Sequence, residues 1–296
     1  MHIPVLLDES IDGLAIKAGD IVVDGTLGGG GHTAEIIRRY GSAVKIICLD
    51  LDSDAIERAK AKIADQDHDV VFRTIGFQHM DEVLDSLNIP KIDRILLDLG
   101  LSSFQLEVAG RGFSFLKDEP LLMTMQKEPK ETDLTARDIV NTWEEKTLAD
   151  IIYGFGEEKY SRRIAKAIVE ERKKKMIENT FDLVKIIDDA VGRAYKGKKI
   201  HPSTRTFQAL RIATNSELVN LEKVLEKGFE RLMSGGRMAI ITFHSLEDRI
   251  VKQAFVKLKN EGYGNVITKK PIIPKDEEVR ANPRSRSSKL RIIEKI

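Results

Sequence analysis

The fold of this chain is indicated first by the stretch Asp20-Ile21-Val22-Val23-Asp24-Gly25-Thr26-Leu27-Gly28-Gly29-Gly30-Gly31-His32-Thr33. The apolar run predicts a strand over 20–24, the glycines follow directly, and residues 33–40 have the pattern of a helix. Glycines placed between a strand and a helix let the backbone adopt positive φ and approach a ligand closely. Doubly wound α/β folds bind their cofactors at this position.

Strand and helix patterns alternate outward from this stretch through the first hundred residues. Further strands are predicted over 44–50, 70–73 and 92–99, with helices over 54–64 and 80–87 between them. Strands that alternate with short helices imply a parallel sheet with right-handed crossovers.

The alternation stops at about residue 108, and no strong strand pattern appears before residue 200. Helices are predicted there at 146–153 (opened by a capping box at Thr142), 157–175 and 181–195 (capped by Thr180). After residue 200 the predicted elements are a long helix over about 204–233, a strand at 237–243, a helix from the capping box at Ser245 to about 259, and strands at 266–269 and 289–294. We therefore predict an α/β domain made of 1–107 and 201–296, with a helical domain, 108–200, inserted into it.

Composition fits a soluble, cytoplasmic globular chain. It has 296 residues, 42% hydrophobic and 32% charged, with 6% aromatic and a single cysteine, Cys48. One cysteine rules out a disulfide framework and a cysteine zinc site. No apolar run approaches the roughly 20 residues of a membrane span, and the start Met1-His2-Ile3-Pro4 lacks the basic and apolar regions of a signal peptide.

Charge is distributed unevenly along the chain. Residues 1–110 carry 10 Lys and Arg against 19 Asp and Glu, whereas residues 111–296 carry 38 against 28. The basic excess is concentrated in 151–210 and 265–296. An asymmetry of this size indicates a polyanionic partner, although the run Arg172–Lys175 by itself is also typical of a solvated helix end.

Three ligands compete for the glycine-rich loop. A P-loop requires Gly-Lys-Ser/Thr, and Gly31-His32-Thr33 lacks the lysine. The dinucleotide fingerprint G-x-G-x-x-G, counted from Gly28, requires a last glycine where Thr33 stands. A strand-end acid followed by glycines, Asp24 with Gly28 and Gly30, instead suits S-adenosylmethionine, whose cationic amino-acid end favours carboxylates.

Acidic residues follow the later strands as well. Asp50 closes the second strand 20 residues after Gly30, a spacing typical of a carboxylate that binds two ribose hydroxyls, and we expect Asp52 to face solvent instead. Phe77, just past the third strand, could pack on an adenine ring or belong to the core.

Asp98 ends the fourth strand after four apolar residues, at the edge that lines the ligand crevice of open α/β sheets. It is a candidate for chemistry on the reacting group, and capping of the next turn is the alternative role. The usual amino-methyltransferase motif, Asn/Asp-Pro-Pro-aromatic, is absent, and no Ser-His-Asp, paired-carboxylate or metal-binding pattern stands out. His244 could be a turn residue.

Taken together, the motifs resemble those of the 16S ribosomal RNA cytosine-N4 methyltransferases, the RsmH or MraW family. The matching runs span the chain in order and are His2–Leu7, Asp24–Thr33, Leu97–Gly100 with Ser102, Ser103, Gln105 and Leu106, Arg111–Phe115, Thr135–Asp138, His201–Ala209, Gly235–Arg237, Phe243–Arg249 and Asn282–Ser287.

The resemblance implies a class I methyltransferase, with a Rossmann-like sheet and an inserted helical domain, that uses S-adenosylmethionine. It also implies that the substrate is a decoding-centre cytosine, number 1402 in ribosomal RNA numbering, in the 16S RNA of the small ribosomal subunit. The cofactor positions that it implies are Gly30, Gly31, His32, Asp50, Phe77, Asp98 and Gln105. Asp98 is also the candidate proton acceptor from the cytosine amine, alone or with the Leu99 carbonyl. The candidate RNA-binding residues are Arg205, Arg284 and Arg286.

One run departs from the family. Where the family has Pro-Leu-Asp-Met-Arg-Met, this chain has Leu122 and Thr124 in place of the acid and the base. Joint loss of two groups that pair with each other is nearly neutral, whereas loss of an RNA contact would change the target nucleotide. The departure leaves a methyltransferase with another RNA target as an alternative. Two further alternatives do not depend on it: a dehydrogenase of similar sheet topology, which the failed dinucleotide fingerprint disfavours, and a non-catalytic ribosome assembly factor that binds a cofactor.

Overall fold

The structure, a computed structural model, describes residues 4–296. His2 and Ile3 of the first family motif lie outside these residues. The sheet is formed by the strands β1 Ile21–Asp24, β2 Lys45–Asp50, β3 Asp69–Thr74, β4 Ile92–Asp98, β5 Leu232–Thr242, β6 Gly264–Val266 and β7 Lys289–Lys295.

The α-helices in the same residues are α1 Leu7–Leu14, α2 Gly31–Tyr40, α3 Ser53–Ile63, α4 Met80–Ser86, α5 Ser103–Glu107, α6 Ala136–Thr142, α7 Glu145–Gly154, α8 Ser161–Arg172, α9 Thr180–Tyr195, α10 Ser203–Asn215, α11 Glu217–Arg231, α12 Ser245–Asn260 and α13 Asp276–Ala281. Short 3-10 helices cover Gly41–Ala43, Phe77–His79 and Pro283–Ser287. No helix of the described chain is both long enough and apolar enough to cross a lipid bilayer.

The strands form one sheet in the order β3-β2-β1-β4-β5-β7-β6. Pairing is parallel from β3 to β5, and β7 runs antiparallel to both β5 and β6. The predicted class, an α/β chain with a mostly parallel, Rossmann-like sheet, is confirmed. The chain order reverses between β1 and β4, so the carboxyl ends of these two strands flank the crevice where such sheets bind ligands.

Both faces of the sheet are buried, and this explains why its central strands are almost continuously apolar. Val22, Ile46 and Leu96 lie on one face and pack with side chains of α1, α2 and α3. The next residues along the same strands, Val23, Ile47 and Leu97, point to the other face and pack with α4, α11 and α12.

The chain divides into two compact units. The sheet unit comprises the residues up to Ser102 together with 218–296, and the helical unit comprises 103–217. Both boundaries differ from the predicted ones at 107/108 and 200/201, because α5 and α10 belong to the helical unit. Gln208 in α10 donates a hydrogen bond to the Phe155 carbonyl at 3.0 Å, and Asn215 donates to the Met123 carbonyl at 2.7 Å.

The long helix predicted over 204–233 is two helices. Ser216 stands between α10 and α11 with φ 50°, in the left-handed region. Around this break, Arg211 donates two hydrogen bonds of 2.8 Å to the Glu217 carboxylate. The sequence prediction was wrong here because serine and glutamate are both acceptable within a helix, so the apolar periodicity continues across the break.

The predicted helix caps were also wrong in detail. The capping box of this region is formed by Thr135 and Asp138 at the start of α6, while α7 begins without a side-chain cap. Thr180 is the first residue of α9, and its hydroxyl donates to the Lys117 carbonyl. At α12 the N-cap is His244 rather than Ser245, with Glu247 completing the box.

Candidate active site

Asp24 is a buried carboxylate at the carboxyl end of β1. The hydroxyl of Thr33 donates to its Oδ2 at 2.6 Å, and the Thr26 N–H donates to its Oδ1 at 3.2 Å. Burial raises the pKa of Asp24 to about 6, against the lowering effect of these hydrogen bonds, and the nearby Asp50 carboxylate adds to the increase. Asp24 therefore changes its charge closer to neutral pH than an ordinary carboxylate does.

The glycines after Asp24 hold the loop close to the sheet. A Cβ on Gly25 would lie 2.5 Å from Leu97 Cδ2 and 3.1 Å from Phe77 Cβ, so no larger residue fits there without a shift of its neighbours. Gly28 and Gly30 have φ 52° and 67°, in the left-handed region that favours glycine. Beside Gly28 the space is open, because a Cβ there would meet no atom nearer than the Thr26 carbonyl oxygen at 3.9 Å.

Asp50 ends β2 and is tied to this loop. Its Oδ2 accepts the Gly28 N–H at 2.8 Å, and its Oδ1 accepts the Asp52 N–H at 2.8 Å. Each carboxylate oxygen has a second lone pair that could accept a ligand hydroxyl. Burial raises the pKa of Asp50, opposed by these two hydrogen bonds.

Asp52 does not face solvent as expected. Only 1% of it is exposed, and its side chain caps α3 by accepting the Asp54 N–H at 3.0 Å. The acid at this position is explained by helix capping, because an N-cap carboxylate satisfies a backbone N–H of the first turn.

Asp98 ends β4, the strand beside β1. Its backbone N–H donates to Thr26 Oγ1 at 2.6 Å, which fixes the strand end to the glycine loop. Its Oδ2 lies 3.9 Å from His32 Nδ1, while its buried Oδ1 has no hydrogen-bond partner in the described chain. Burial, and then the charges of Asp24 and Glu247, raise the pKa of Asp98 well above its ordinary value.

His32 lies in the first turn of α2 and is buried. Its Nε2 is 3.2 Å from the Val5 carbonyl oxygen, which can only accept a hydrogen bond. The proton of the neutral ring is therefore on Nε2, and the Nδ1 lone pair is on the side of Asp98.

Three residues of this site were not identified as functional from the sequence. Thr26 and Thr33 contact Asp98 and Asp24 as described above, and Glu247 is the third. Glu247 is buried at the start of α12, and its Oε2 accepts the Phe243 N–H at 2.8 Å. The capping-box pattern did mark Glu247, but a pattern of this kind carries no information about charges on a neighbouring strand.

Five of the predicted cofactor residues are in the sheet unit, close to the ends of its parallel strands. Gly30, Gly31 and His32 lie at the start of α2, which follows β1, and Asp50 and Asp98 end β2 and β4; all five are in the sheet unit.

Phe77 is part of the 3-10 helix after β3, where it packs against the core around Met80. Gln105 is a buried residue of α5, in the helical unit.

The candidate RNA-binding residues lie in different units. Arg205 is in α10 of the helical unit, with its Nη1 4.0 Å from the buried carboxylate of Glu158. Arg284 and Arg286 are exposed in the 3-10 helix before β7, in the sheet unit. Arg286 borders a cavity of about 340 Å³ that Lys289 and His244 also line.

Comparison with known proteins places the chain in a family. All of residues 1–296 match the model of the MraW methylase family. The chain is 46% identical over 310 residues to Ribosomal RNA small subunit methyltransferase H of Clostridium botulinum (strain Kyoto / Type A2), covering 100% of this chain and 99% of that one. It is 44% identical to the protein of the same name in Lachnospira eligens, with 100% and 98% covered.

A solved rRNA methylase from Streptococcus thermophilus matches with a TM-score of 0.44 at 14% identity, covering 100% of this chain and 99% of that one. The family indicated by the sequence motifs is confirmed by the family match and by the identity to the curated relatives. The chain belongs to the MraW methylase family, and it is a methyltransferase that uses S-adenosylmethionine.

Proposed function

We propose that this protein transfers a methyl group to the exocyclic N4 of a decoding-centre cytosine in 16S ribosomal RNA and acts in the cytoplasm. The observation that carries the proposal is Asp98 Oδ1, a buried acceptor at the crevice without a hydrogen-bond partner in residues 4–296. Buried polar atoms are nearly always paired, and an amino group supplies the N–H donor that this oxygen lacks. The names of the relatives support small-subunit ribosomal RNA as the substrate.

The residues of the crevice fit S-adenosylmethionine. Asp50 has acceptor capacity left for two ribose hydroxyls, and the open space beside Gly28 lets the backbone come close to a ligand. Asp24, Asp98 and Glu247 supply negative charge, which suits a cationic ligand. Bound there, S-adenosylmethionine supplies an electrophilic methyl group.

In the proposed mechanism, Asp98 acts on the acceptor nitrogen. The N4 lone pair of cytosine is delocalised into the ring, so the nitrogen must become pyramidal before it can attack. Asp98 Oδ1 accepts a hydrogen bond from the amine N–H, which favours the pyramidal nitrogen. Asp98 then takes the proton that the nitrogen must lose. The base has to leave its stack to reach the crevice, which implies single-stranded or opened RNA.

The two residues that depart from the family run carry no charge. Leu122 carries no polar side-chain atom, and Thr124 is buried with its hydroxyl donating to the Gln126 carbonyl at 3.2 Å. Neither residue offers a charge to a phosphate. We therefore propose that the reaction is unchanged and that the target nucleotide is set by other contacts.

Incorporation of tritiated methyl groups into 16S ribosomal RNA tests this function directly. We expect one methyl group per RNA, recovered as N4-methylcytidine after nuclease digestion. A methylated nucleoside of another kind would assign another target. Binding of RNA and S-adenosylmethionine without any incorporation would instead favour a ribosome assembly factor.

Replacement of Asp50 by Ala is expected to weaken S-adenosylmethionine binding by about 10- to 100-fold, because hydrogen bonds from ribose hydroxyls to an ionised carboxylate are lost. Asp50→Asn should fall between this variant and the wild type, since it keeps one acceptor oxygen. Titration calorimetry measures both. The matched control is Asp69→Ala, an exposed acid at the start of β3. Equal affinities for Asp50→Ala and the control would remove Asp50 from the binding site.

Charge reversal at both Arg284 and Arg286 is expected to weaken RNA binding several-fold. The log–log salt dependence should lose about one unit of slope for each phosphate contact that is removed. Cofactor affinity should stay constant. The control is charge reversal at Lys252 and Lys257, which are exposed on α12. If the two double variants bind RNA alike over a salt series, the segment before β7 has no phosphate contacts.

A further inference from the structure

The helical unit has an open groove where α9 ends and α10 begins. It has a volume of about 750 Å³, and its cationic lining consists of Arg193, Lys196, Lys198 and Lys199 together with His201, against the carboxylate of Asp188. We call these five basic residues the junction cluster. All five are exposed.

Within residues 4–296, the four Lys and Arg residues of the junction cluster have no carboxylate partner, unlike several other cations of the helical unit. Lys146, Lys166 and Lys174 each form an ion pair with an acid three or four residues away in the sequence. Arg172 likewise donates to the carbonyls of Val140 and Trp143. In the described chain, no carboxylate lies within 4.0 Å of the four Lys and Arg residues of the cluster. None of these four cations is therefore held in an ion pair within the described chain.

Lys198 is held over aromatic rings instead of by an acid. Its Nζ lies 4.4 Å from the centre of the Tyr195 ring and 5.6 Å from that of Tyr160. Such contacts position a lysine without removing its positive charge. The ammonium thus remains able to attract an anion.

His201 adds a directed hydrogen-bond donor to the groove. Its ring stacks on Phe115 with 4.7 Å between the ring centres. Its Nδ1 accepts the Ser203 N–H at 3.2 Å, so the proton of the neutral ring is on Nε2. The amino end of α10 follows directly, and the positive end of its dipole favours an anion nearby.

From these observations we infer that the junction cluster binds the phosphate backbone of the substrate RNA. Cations without a carboxylate partner and a positioned N–H donor suit phosphate oxygens, and the open groove leaves them accessible to an RNA strand. Contacts of this kind position an RNA strand without reading its sequence. The inference rests on the proposed function, because it takes RNA to be the substrate.

The test is the triple variant Lys196→Gln/Lys198→Gln/Lys199→Gln, with Lys146→Gln/Lys166→Gln/Lys174→Gln as the control of equal charge change. Binding to 16S ribosomal RNA transcribed in vitro is measured over a salt series. We expect the cluster variant to bind about 10- to 100-fold more weakly, with about 2 to 3 units of slope lost. The triple Lys→Arg variant at 196, 198 and 199 should bind as the wild type does, because it retains the charge.

Failure of the proposed function and failure of this inference give different results. If the wild type neither binds nor methylates the RNA, the proposed function is wrong and the inference is lost with it. If the wild type does both and the cluster variant matches the control variant in slope, only the inference is wrong. Binding of phosphatidylglycerol vesicles that depends on the cluster, with RNA binding unchanged, would assign the groove to lipid and overturn the inference. Thermal unfolding and cofactor affinity should be equal in all variants.

Discussion

Replacement of Asp98 by Asn is expected to lower the single-turnover rate of methyl transfer by about 10²- to 10⁴-fold, the range typical of a positioned acid–base group. Asparagine keeps the size and one acceptor oxygen but cannot take up the amine proton. RNA affinity should change by no more than a few-fold, because the proposed phosphate contacts lie elsewhere. Since the pKa of Asp98 is raised, the wild-type rate should also begin to fall, on acidification, at a higher pH than an ordinary carboxylate would give.

Rapid-quench measurement with tritiated methyl donor checks this expectation. The matched control is Asp93→Asn at the other end of β4, where the acid accepts the Ile21 N–H at 2.9 Å and an amide oxygen can do the same. The competing role for Asp98 is positioning of the methyl donor alone. If saturating S-adenosylmethionine restored the wild-type rate to Asp98→Asn, the proton acceptor would have to be a backbone carbonyl or water.

Replacement of Asp24 by Asn is expected to change how stability depends on pH. The pKa of Asp24 is about 6 in the folded chain, against 3.8 for the ordinary group. The folded state therefore holds this proton to a higher pH than the unfolded state does, and stability is lost as the pH rises through this range. The loss amounts to about 3 kcal/mol and is complete above the folded pKa.

The Asn variant lacks this loss. Relative to the wild type, its free energy of unfolding should therefore increase by about 2 to 3 kcal/mol between about pH 4 and about pH 8. Urea unfolding at both pH values measures the difference, and Asp93→Asn serves again as the control. Equal pH dependence in Asp24→Asn and the wild type would show that the carboxyl group ionises in the folded chain as easily as in the unfolded one.

The elements of the sheet and its acidic edge could be predicted because their signals are local. An apolar run that ends in an acid shows both a strand and the edge where its side chain lies, as at Asp50 and Asp98. The boundary of the helical unit could not be predicted, because the break at Ser216 leaves the apolar periodicity intact.

The contacts that complete the site were also beyond prediction, because they join positions far apart in the chain. The hydrogen bond from the Asp98 N–H to Thr26 spans 72 residues, and no local pattern distinguishes that threonine from a loop residue. Asp52 was misjudged for a related reason, since the same acid after a strand can face solvent or cap the next helix. The roles of Asp98, Asp50 and the arginines remain predictions that the experiments above test.

Alkylation of the chain's single cysteine can be used to measure local opening of the sheet. Cys48 is fully buried in β2, with its sulfur 3.4 Å from the Thr33 hydroxyl, and burial together with the charge of Asp24 raises the pKa of the thiol. Only the thiolate reacts with alkylating reagents. Because the thiol is buried and its pKa is raised, it can be labelled only after β2 has separated from the neighbouring strands. The labelling rate under native conditions therefore measures the free energy of that opening, and it does so at the edge of the sheet where Asp24 and the glycine loop are anchored.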